Sequence, residues 1–366
     1  MASVKQRIRP RSRPKRCHSY KRWASGRAAI SSQLLNRHLG FSLPTGDRRL
    51  LSLLCAFALT LTPACRKRQR PLYAVIPKGQ AHIFWQTVHA GAAAAAEEAR
   101  VDIAWNGPAT ETDLARQIAI VDDFINRHVD GIELAPEDRE ALVPTIRRAR
   151  RAGIPLTIID SGADTDEYVS FIATDNYGGG ALAARCLATL LNKKGDVAVI
   201  AVLPGAASTL AREQGFKDTI EKEFPDIKIA ALQYGMSDRA RSLGVTEDIL
   251  AGHPMLAGIF ASNESSAIGA DQAIKARGLS GKVRLVGFDS SPSLIDDLRA
   301  GTIDALVLQD PFQIGYQGLK ALVDFRAGRA PSKRLDLPPL LVTRENLEDS
   351  KIQRLISPDI DRYLKR

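Results

Sequence analysis

Leu142-Val143-Pro144-Thr145-Ile146-Arg147-Arg148-Ala149-Arg150-Arg151-Ala152-Gly153-Ile154-Pro155-Leu156-Thr157-Ile158-Ile159-Asp160 holds one complete unit of the fold. Leu142, Val143, Ile146 and Ala149 recur at helical spacing, so one face of a helix is apolar. Gly153 supplies the stop and Pro155 forbids continuation. Leu156–Ile159 is then a short unbroken apolar strand, and Asp160 stands at its carboxyl end. Working outward, further strands are predicted at Leu72–Ile76, Asp102–Trp105, Gly131–Leu134, Phe171–Ala173, Val197–Leu203, Ile227–Gln233, Gly258–Ala261, Val283–Phe288 and Ile303–Leu308. Amphipathic segments lie between most of them, for example Leu114, Ile118, Val121 and Ile125. Strand–helix alternation with continuous Val/Ile/Leu strands indicates parallel sheets covered on both faces. So many strands exceed one comfortable sheet, which predicts an α/β chain of two doubly wound parallel-sheet domains with a cleft between them.

The chain has 366 residues, 45% hydrophobic and 25% charged, enough for a large core and unlike a disordered or fibrous protein. Four cysteines in that length exclude a disulfide scaffold. The net charge of +10 is confined to one end: residues 1–65 carry 13 of the 51 Lys and Arg but one of the 41 Asp and Glu. The rest of the chain is mildly acidic, which removes the support for a phosphate-binding surface and hence for nucleic acid as a partner.

That basic end contains Leu50–Leu61, an uncharged apolar run too short to span a bilayer, preceded by Arg48-Arg49 and followed by Thr62-Pro63-Ala64-Cys65. A positive flank, a short apolar stretch and a small residue before a cut read as a secretory signal. The Ala64-Cys65 junction resembles a bacterial lipoprotein signal, with Cys65 lipidated and forming the mature amino terminus. It departs from that pattern at Thr62 and Pro63, so cleavage without lipidation and a buried apolar helix stay open. Residues 1–47 lack helical or strand periodicity and exceed what such a signal needs. Of the cysteines, Cys186 alone falls in the body, in a helical run of Ala and Leu, where a small hydrophobe is expected rather than a nucleophile.

In open parallel sheets, ligands bind outside the carboxyl ends of the strands. Asp160, Asn263, Asp289 and Gln309 each follow an apolar strand, on the rim where a ligand sits. Each taken singly also suits a helix cap or a turn. With an Arg they form a set for a neutral ligand, since carboxylates accept from hydroxyls, amides do both and Arg donates in a fixed fork. Phe84-Trp85, after the first strand, offers apolar ring faces to the C–H face of a sugar, or else packs in the core.

At these residues the body resembles the periplasmic sugar-binding proteins of the ribose/galactose type, solute receptors of ABC importers that share their ligand-binding fold with the LacI-type repressors. The resemblance runs from Pro71 to about Thr343. It rests on Phe84-Trp85, Ala152–Pro155 leading to Asp160, Ile172–Asn176, Ala211-Arg212-Glu213-Gln214-Gly215-Phe216, Phe260–Glu264, Val286–Asp289 and Gln309–Gly315. It implies a type I periplasmic binding protein-like fold with a hinge, the first domain from residues 71–174 with 310–336 and the second from 175–309 with 337–366. Residues 1–65 are then prefix and signal, and 66–70 a basic linker. It further implies that Phe84 and Trp85 sandwich a sugar ring with an aromatic from the other domain, and that Asp160, Arg212, Asn263, Asp289 and Gln309 bond its hydroxyls. Three positions depart from the ribose pattern: His82 replaces Asn, Ser161 replaces an Arg, and Ser237 replaces an aromatic for which Tyr234 or Met236 could stand in. Ribose itself is therefore not carried over; another pentose, a hexose or a polyol stays open. For His82, hydrogen bonding to the solute is more economical than metal binding or pH sensing.

No phosphate-binding loop, dinucleotide fingerprint, nucleophile elbow or H-E-x-x-H occurs, so no enzyme activity, cofactor or metal is expected. Asp122-Asp123 and Asp296-Asp297 are neighbours on helices and point apart, as solvated faces do. The expected molecule is a monomeric receptor in the cell envelope on the periplasmic side, anchored by lipid, which closes on a sugar or polyol and presents it to a membrane permease. A same-fold receptor signalling to a chemotaxis or sensor-kinase partner shares every residue discussed. A LacI-type regulator would need a helix-turn-helix before the body, where an export signal stands instead.

Overall fold

The structure, a computed structural model, describes residues 70–365 other than Ala81. The expectations for the prefix, for the signal and for Cys65 lie outside those residues. The body folds as two six-stranded sheets, each covered by helices on both faces. The first sheet contains β1 (Leu72–Ile76), β2 (Asp102–Trp105), β3 (Gly131–Leu134), β4 (Leu156–Ile159), β5 (Ser170–Thr174) and β11 (Arg334–Leu337), in the order β11-β5-β4-β3-β1-β2. The second contains β6 (Gly195–Ala201), β7 (Ile227–Tyr234), β8 (Leu256–Ala261), β9 (Arg284–Phe288), β10 (Ala305–Leu308) and β12 (Leu340–Val342), in the order β12-β10-β9-β8-β6-β7. The two orders correspond strand for strand, and each reverses direction of growth beside its first strand.

Every predicted strand is present, and β11 and β12 are additional. Pairing is parallel throughout except that β12 runs antiparallel to β10, so the second sheet is not wholly parallel as expected. The chain passes between sheets three times: after β5, between β10 and the next helix, and between β11 and β12.

The first sheet is flanked by α1 (Ile83–Ala99), α2 (Leu114–Asn126), α3 (Val143–Arg151) and α9 (Pro311–Arg326). The second is flanked by α4 (Asn176–Leu190), α5 (Ala207–Glu223), α6 (Arg239–Gly252), α7 (Glu264–Ala276) and α8 (Pro292–Ala300). Two short helices, α10 (Ser350–Ile356) and α11 (Asp361–Leu364), follow. Local chemistry sets the starts: Asp113, Asp175, Asp238, Asn263, Ser291 and Asp310 each accept a backbone N–H of the first turn they precede. Pro292 and Pro311 occupy first helical positions, where no N–H is needed.

Two helix crossings are closer than side chains allow. A Cβ on Gly91 of α1 would lie 2.0 Å from the carbonyl oxygen of Phe312, and one on Gly315 of α9 would lie 2.0 Å from that of Val88. The second domain repeats this: Gly180 of α4 faces the Arg212 carbonyl at 1.9 Å, and Gly215 of α5 faces that of Tyr177 at 2.1 Å. These crossings fix the starts of α1 and α5, which carry Phe84, Trp85 and Arg212.

One buried group runs against the apolar core. Glu133 on β3 is fully buried, and among the described residues neither carboxyl oxygen meets a hydrogen-bond partner; nor does the hydroxyl of its cross-strand neighbour Thr157. Burial pushes the Glu133 carboxyl well above its ordinary range. The folded chain therefore holds a proton that the unfolded chain releases, and stability falls as pH rises above the ordinary carboxylate value. Melting temperatures from pH 5 to pH 8 are expected to fall less steeply for Glu133→Gln than for the wild type. Parallel curves would show that Glu133 does not titrate in this way.

Candidate functional site

The sheets face each other across their carboxyl ends, and the polar strand-end residues of both meet around one small cavity. Its lining includes His82, Phe84, Trp85, Asp160, Arg212, Asn263, Asp289 and Gln309, that is, all eight residues singled out from the sequence. It also includes Lys78, Glu111, Ser208, Thr209 and Glu264, which sequence reasoning missed. A larger hollow of about 660 Å³ lies at the amino end of the first sheet, beside Phe325 and Tyr168, and contains none of these strand-end residues.

Asp160 and Asp289 occupy corresponding places, one residue past β4 and β9, and both have left-handed backbones, φ 60° and 72°. Asp tolerates that region better than most residues, and strain of this kind is maintained where the surrounding structure demands it. Lys78, past the end of β1, places its ammonium 2.7 Å from Asp160 and donates to Ser208 of the second domain at 3.0 Å. A buried cation thus lies beside Asp160 although position 161 is Ser. The Ser161 hydroxyl instead accepts the Ser208 N–H at 3.2 Å.

Arg212 is held on three sides. Its Nε donates to Asn176 at 2.7 Å, its Nη1 to the Ser262 carbonyl at 3.0 Å, and its guanidinium lies 3.8 Å from the Phe288 ring centre. Nη1 is also 3.8 Å from Asp289. Burial raises the Asp289 carboxyl above its ordinary range, against the opposing pull of Arg212 and Gln309. Gln309 donates to Asp289 at 2.6 Å and accepts from Thr174 at 2.6 Å. Asn263 serves both of its readings, since it caps α7 through the Ser266 N–H and donates to Ser237 at 3.0 Å.

His82 bridges the domains, with Nδ1 3.2 Å from Glu264 and Nε2 3.9 Å from Glu111. Burial alone would lower its pKa, but the Glu264 hydrogen bond and the charges of Glu111, Glu264 and Asp289 outweigh it and raise the value to about 9. The imidazolium is therefore the neutral-pH form. Among the described residues no group of three His, Cys, Asp or Glu could hold a metal ion.

Two readings of the rings need correction. Phe84 and Trp85 stand edge to face, 4.9 Å apart at 88°, so they do not present parallel faces. Neither Tyr234 nor Met236 lines the cavity. Ser237, at φ 52°, turns its hydroxyl to Glu111, and a carboxylate–hydroxyl contact occupies the region where a second-domain ring was expected. Cys186 is partly buried and its thiol is pushed up to about 11, chiefly by burial, which leaves it a poor nucleophile.

Residues 73–330 match the model of the periplasmic binding protein domain. The D-ribose/D-allose-binding protein of Pseudomonas aeruginosa is 31% identical over 79% of this chain and 94% of its own. Among solved structures, a carbohydrate transporter solute-binding protein of Agrobacterium radiobacter in complex with D-arabinose is 34% identical, with a TM-score of 0.77 over 79% of this chain and 99% of that one. An ABC transporter solute-binding protein of Agrobacterium vitis with bound D-fucose is 36% identical, with a TM-score of 0.76 over 78% and 99%. The chain belongs to the periplasmic binding protein family, as a sugar receptor of the ribose/galactose type. Its part is solute reception for import, not catalysis.

Proposed function

We propose that the cavity between the sheets is the solute site and that the chain closes its two domains around one monosaccharide or related polyol, which it delivers to an ABC permease. The observation that carries this reading is the convergence of hydrogen-bonding strand ends from both sheets on one cavity. Binding energy drawn from both domains favours the closed form over the open one. The space left between the side chains is about 30 Å³, too little for a sugar ring, so entry requires the domains to part about the three crossings. Asp160 with Lys78, Arg212, Asn263, Asp289 and Gln309 serve ring hydroxyls, His82 adds a donor, and Trp85 with Phe84 supplies the apolar wall. The pairing of Lys78 with Asp160, and of Arg212 with Asp289, balances charge locally and suits a neutral polyhydroxylated ligand.

The prefix supports export and a lipid anchor at Cys65, which would keep a monomeric receptor on the periplasmic side of the envelope near its permease. A thermal-shift screen against pentoses, hexoses, sugar alcohols, inositols and amino acids tests the substrate class, because ligand binding to the native state raises the melting temperature. A rise with a sugar or polyol is expected. A rise with an amino acid alone would keep the fold and overturn the solute.

A further inference from the structure

Glu111 lies in Thr110-Glu111-Thr112-Asp113, between β2 and α2, and its carboxylate is gripped from two directions. Trp85 donates its Nε1–H to Oε1 at 2.7 Å, and Ser237 of the second domain donates its hydroxyl to Oε2 at 2.9 Å. His82 stands 3.9 Å away on the same side of the cavity. Trp85 itself is only 1% exposed and makes its edge-to-face contact with Phe84, so the direction of its N–H fixes the ring that the cavity sees.

We propose that Glu111 is the positioning residue of the solute site: it sets the orientation of Trp85 and links that ring to Ser237 of the opposite domain, the position where a second aromatic is missing. A charge-assisted bond to a carboxylate is stronger than one to a neutral acceptor. Burial disfavours the ion, but His82, Lys78 and the two hydrogen bonds hold the Glu111 carboxyl below its ordinary range. The platform for the solute and the contact closing the domains over it thus depend on one side chain. Because Ser237 comes from the second domain, opening the cleft breaks the Oε2 contact while the Trp85 bond, made within the first domain, persists. The wall is then in place before the solute arrives, which limits the ordering cost of binding. This role in binding rests on the sugar-receptor reading; the effect on Trp85 does not.

The test uses the full chain labelled with 15N-tryptophan, with the indole signal of Trp85 assigned by its loss in Trp85→Phe. Without any sugar, the Trp85 indole N–H is expected downfield in the wild type, shifted upfield in Glu111→Ala, and intermediate in Glu111→Gln, which keeps the shape and an acceptor but loses the charge. The indole signal of Trp105 should stay in place and reports that the fold is intact. Calorimetric titration with D-ribose, D-allose, D-arabinose and D-fucose follows. Any sugar bound by the wild type should bind roughly tenfold more weakly to Glu111→Ala, with partial recovery in Glu111→Gln. An unmoved Trp85 signal in Glu111→Ala overturns the positioning role whether or not a sugar binds. A moved signal with unchanged affinity overturns the link to the solute. Failure of the wild type to bind any of the four sugars counts against the solute assignment, while the Trp85 shift stands on its own.

Discussion

Asp289→Ala is expected to weaken sugar binding by roughly 5- to 150-fold, the consequence of removing a buried acceptor worth about 1–3 kcal/mol. The carboxylate accepts from Gln309 and from the Glu264 N–H and lies beside Arg212, so its loss leaves several donors aimed at nothing. Ala also tolerates the left-handed backbone at 289 less well than Asp, so a companion variant is needed. Asp289→Asn keeps the shape and the backbone preference but replaces one acceptor by a donor, and its affinity should fall in the same range with little loss of stability. Asp123→Ala, on the solvated face of α2 where Asp123 pairs with Arg127, should bind as the wild type does. Calorimetry with the sugar found by thermal shift reads all three. Equal binding by wild type, Asp289→Ala and Asp289→Asn would place the solute elsewhere.

Gly180→Ala should cost about 3 kcal/mol or more of stability and lower the melting temperature by something on the order of 6–12 °C. Its Cβ would lie 1.9 Å from the Arg212 carbonyl oxygen, and a backbone atom cannot rotate away as a side chain can. Either α4 and α5 separate, losing the packing around Phe216 and Phe288, or α5 shifts and takes Arg212 with it. The same substitution at Gly244, inside α6 with no atom within 4 Å of the added carbon, should instead raise stability by about 0.4–1 kcal/mol, because Ala restricts the unfolded chain. Thermal denaturation of the two variants side by side separates close approach from the general effect of removing glycine. Equal shifts in both would mean that the crossing tolerates a methyl group.

The fold was largely legible because its strands are short apolar runs punctuated by turn residues, as at Gly153-Ile154-Pro155-Leu156. The two missed strands fail that pattern for physical reasons. Arg334-Leu335-Asp336-Leu337 is a solvent-exposed edge that alternates charge with Leu, and Leu340–Val342 is three residues long behind Pro338-Pro339. The rim residues were visible because each terminates an apolar strand, and proximity to a strand end survives in one dimension. Lys78 obeys the same rule but reads as part of a Pro-Lys-Gly turn. Glu111 could not be found that way: in a Thr-Glu-Thr-Asp loop it looks like any solvated acid, and its partners lie 26 and 126 residues distant. The expected second ring failed because the left-handed backbone at Met236 and Ser237 decides which side chain points inward, and local composition does not encode that.

The triple passage of the chain between sheets also governs the order in which the molecule can be made. Each sheet draws an edge strand from the last part of the sequence, and α9, which covers Tyr73 and Val75 of β1, begins only at Pro311. A nascent chain of three hundred residues would have synthesised β1 to β5 and yet have only α1, without its partner α9, to place over one face of their sheet. Neither half can mature as an independent early product, and closure of both waits on a stretch of some thirty residues near the end of translation. Contacts of such long sequence separation fold slowly. Late completion is a property already present in the strand order.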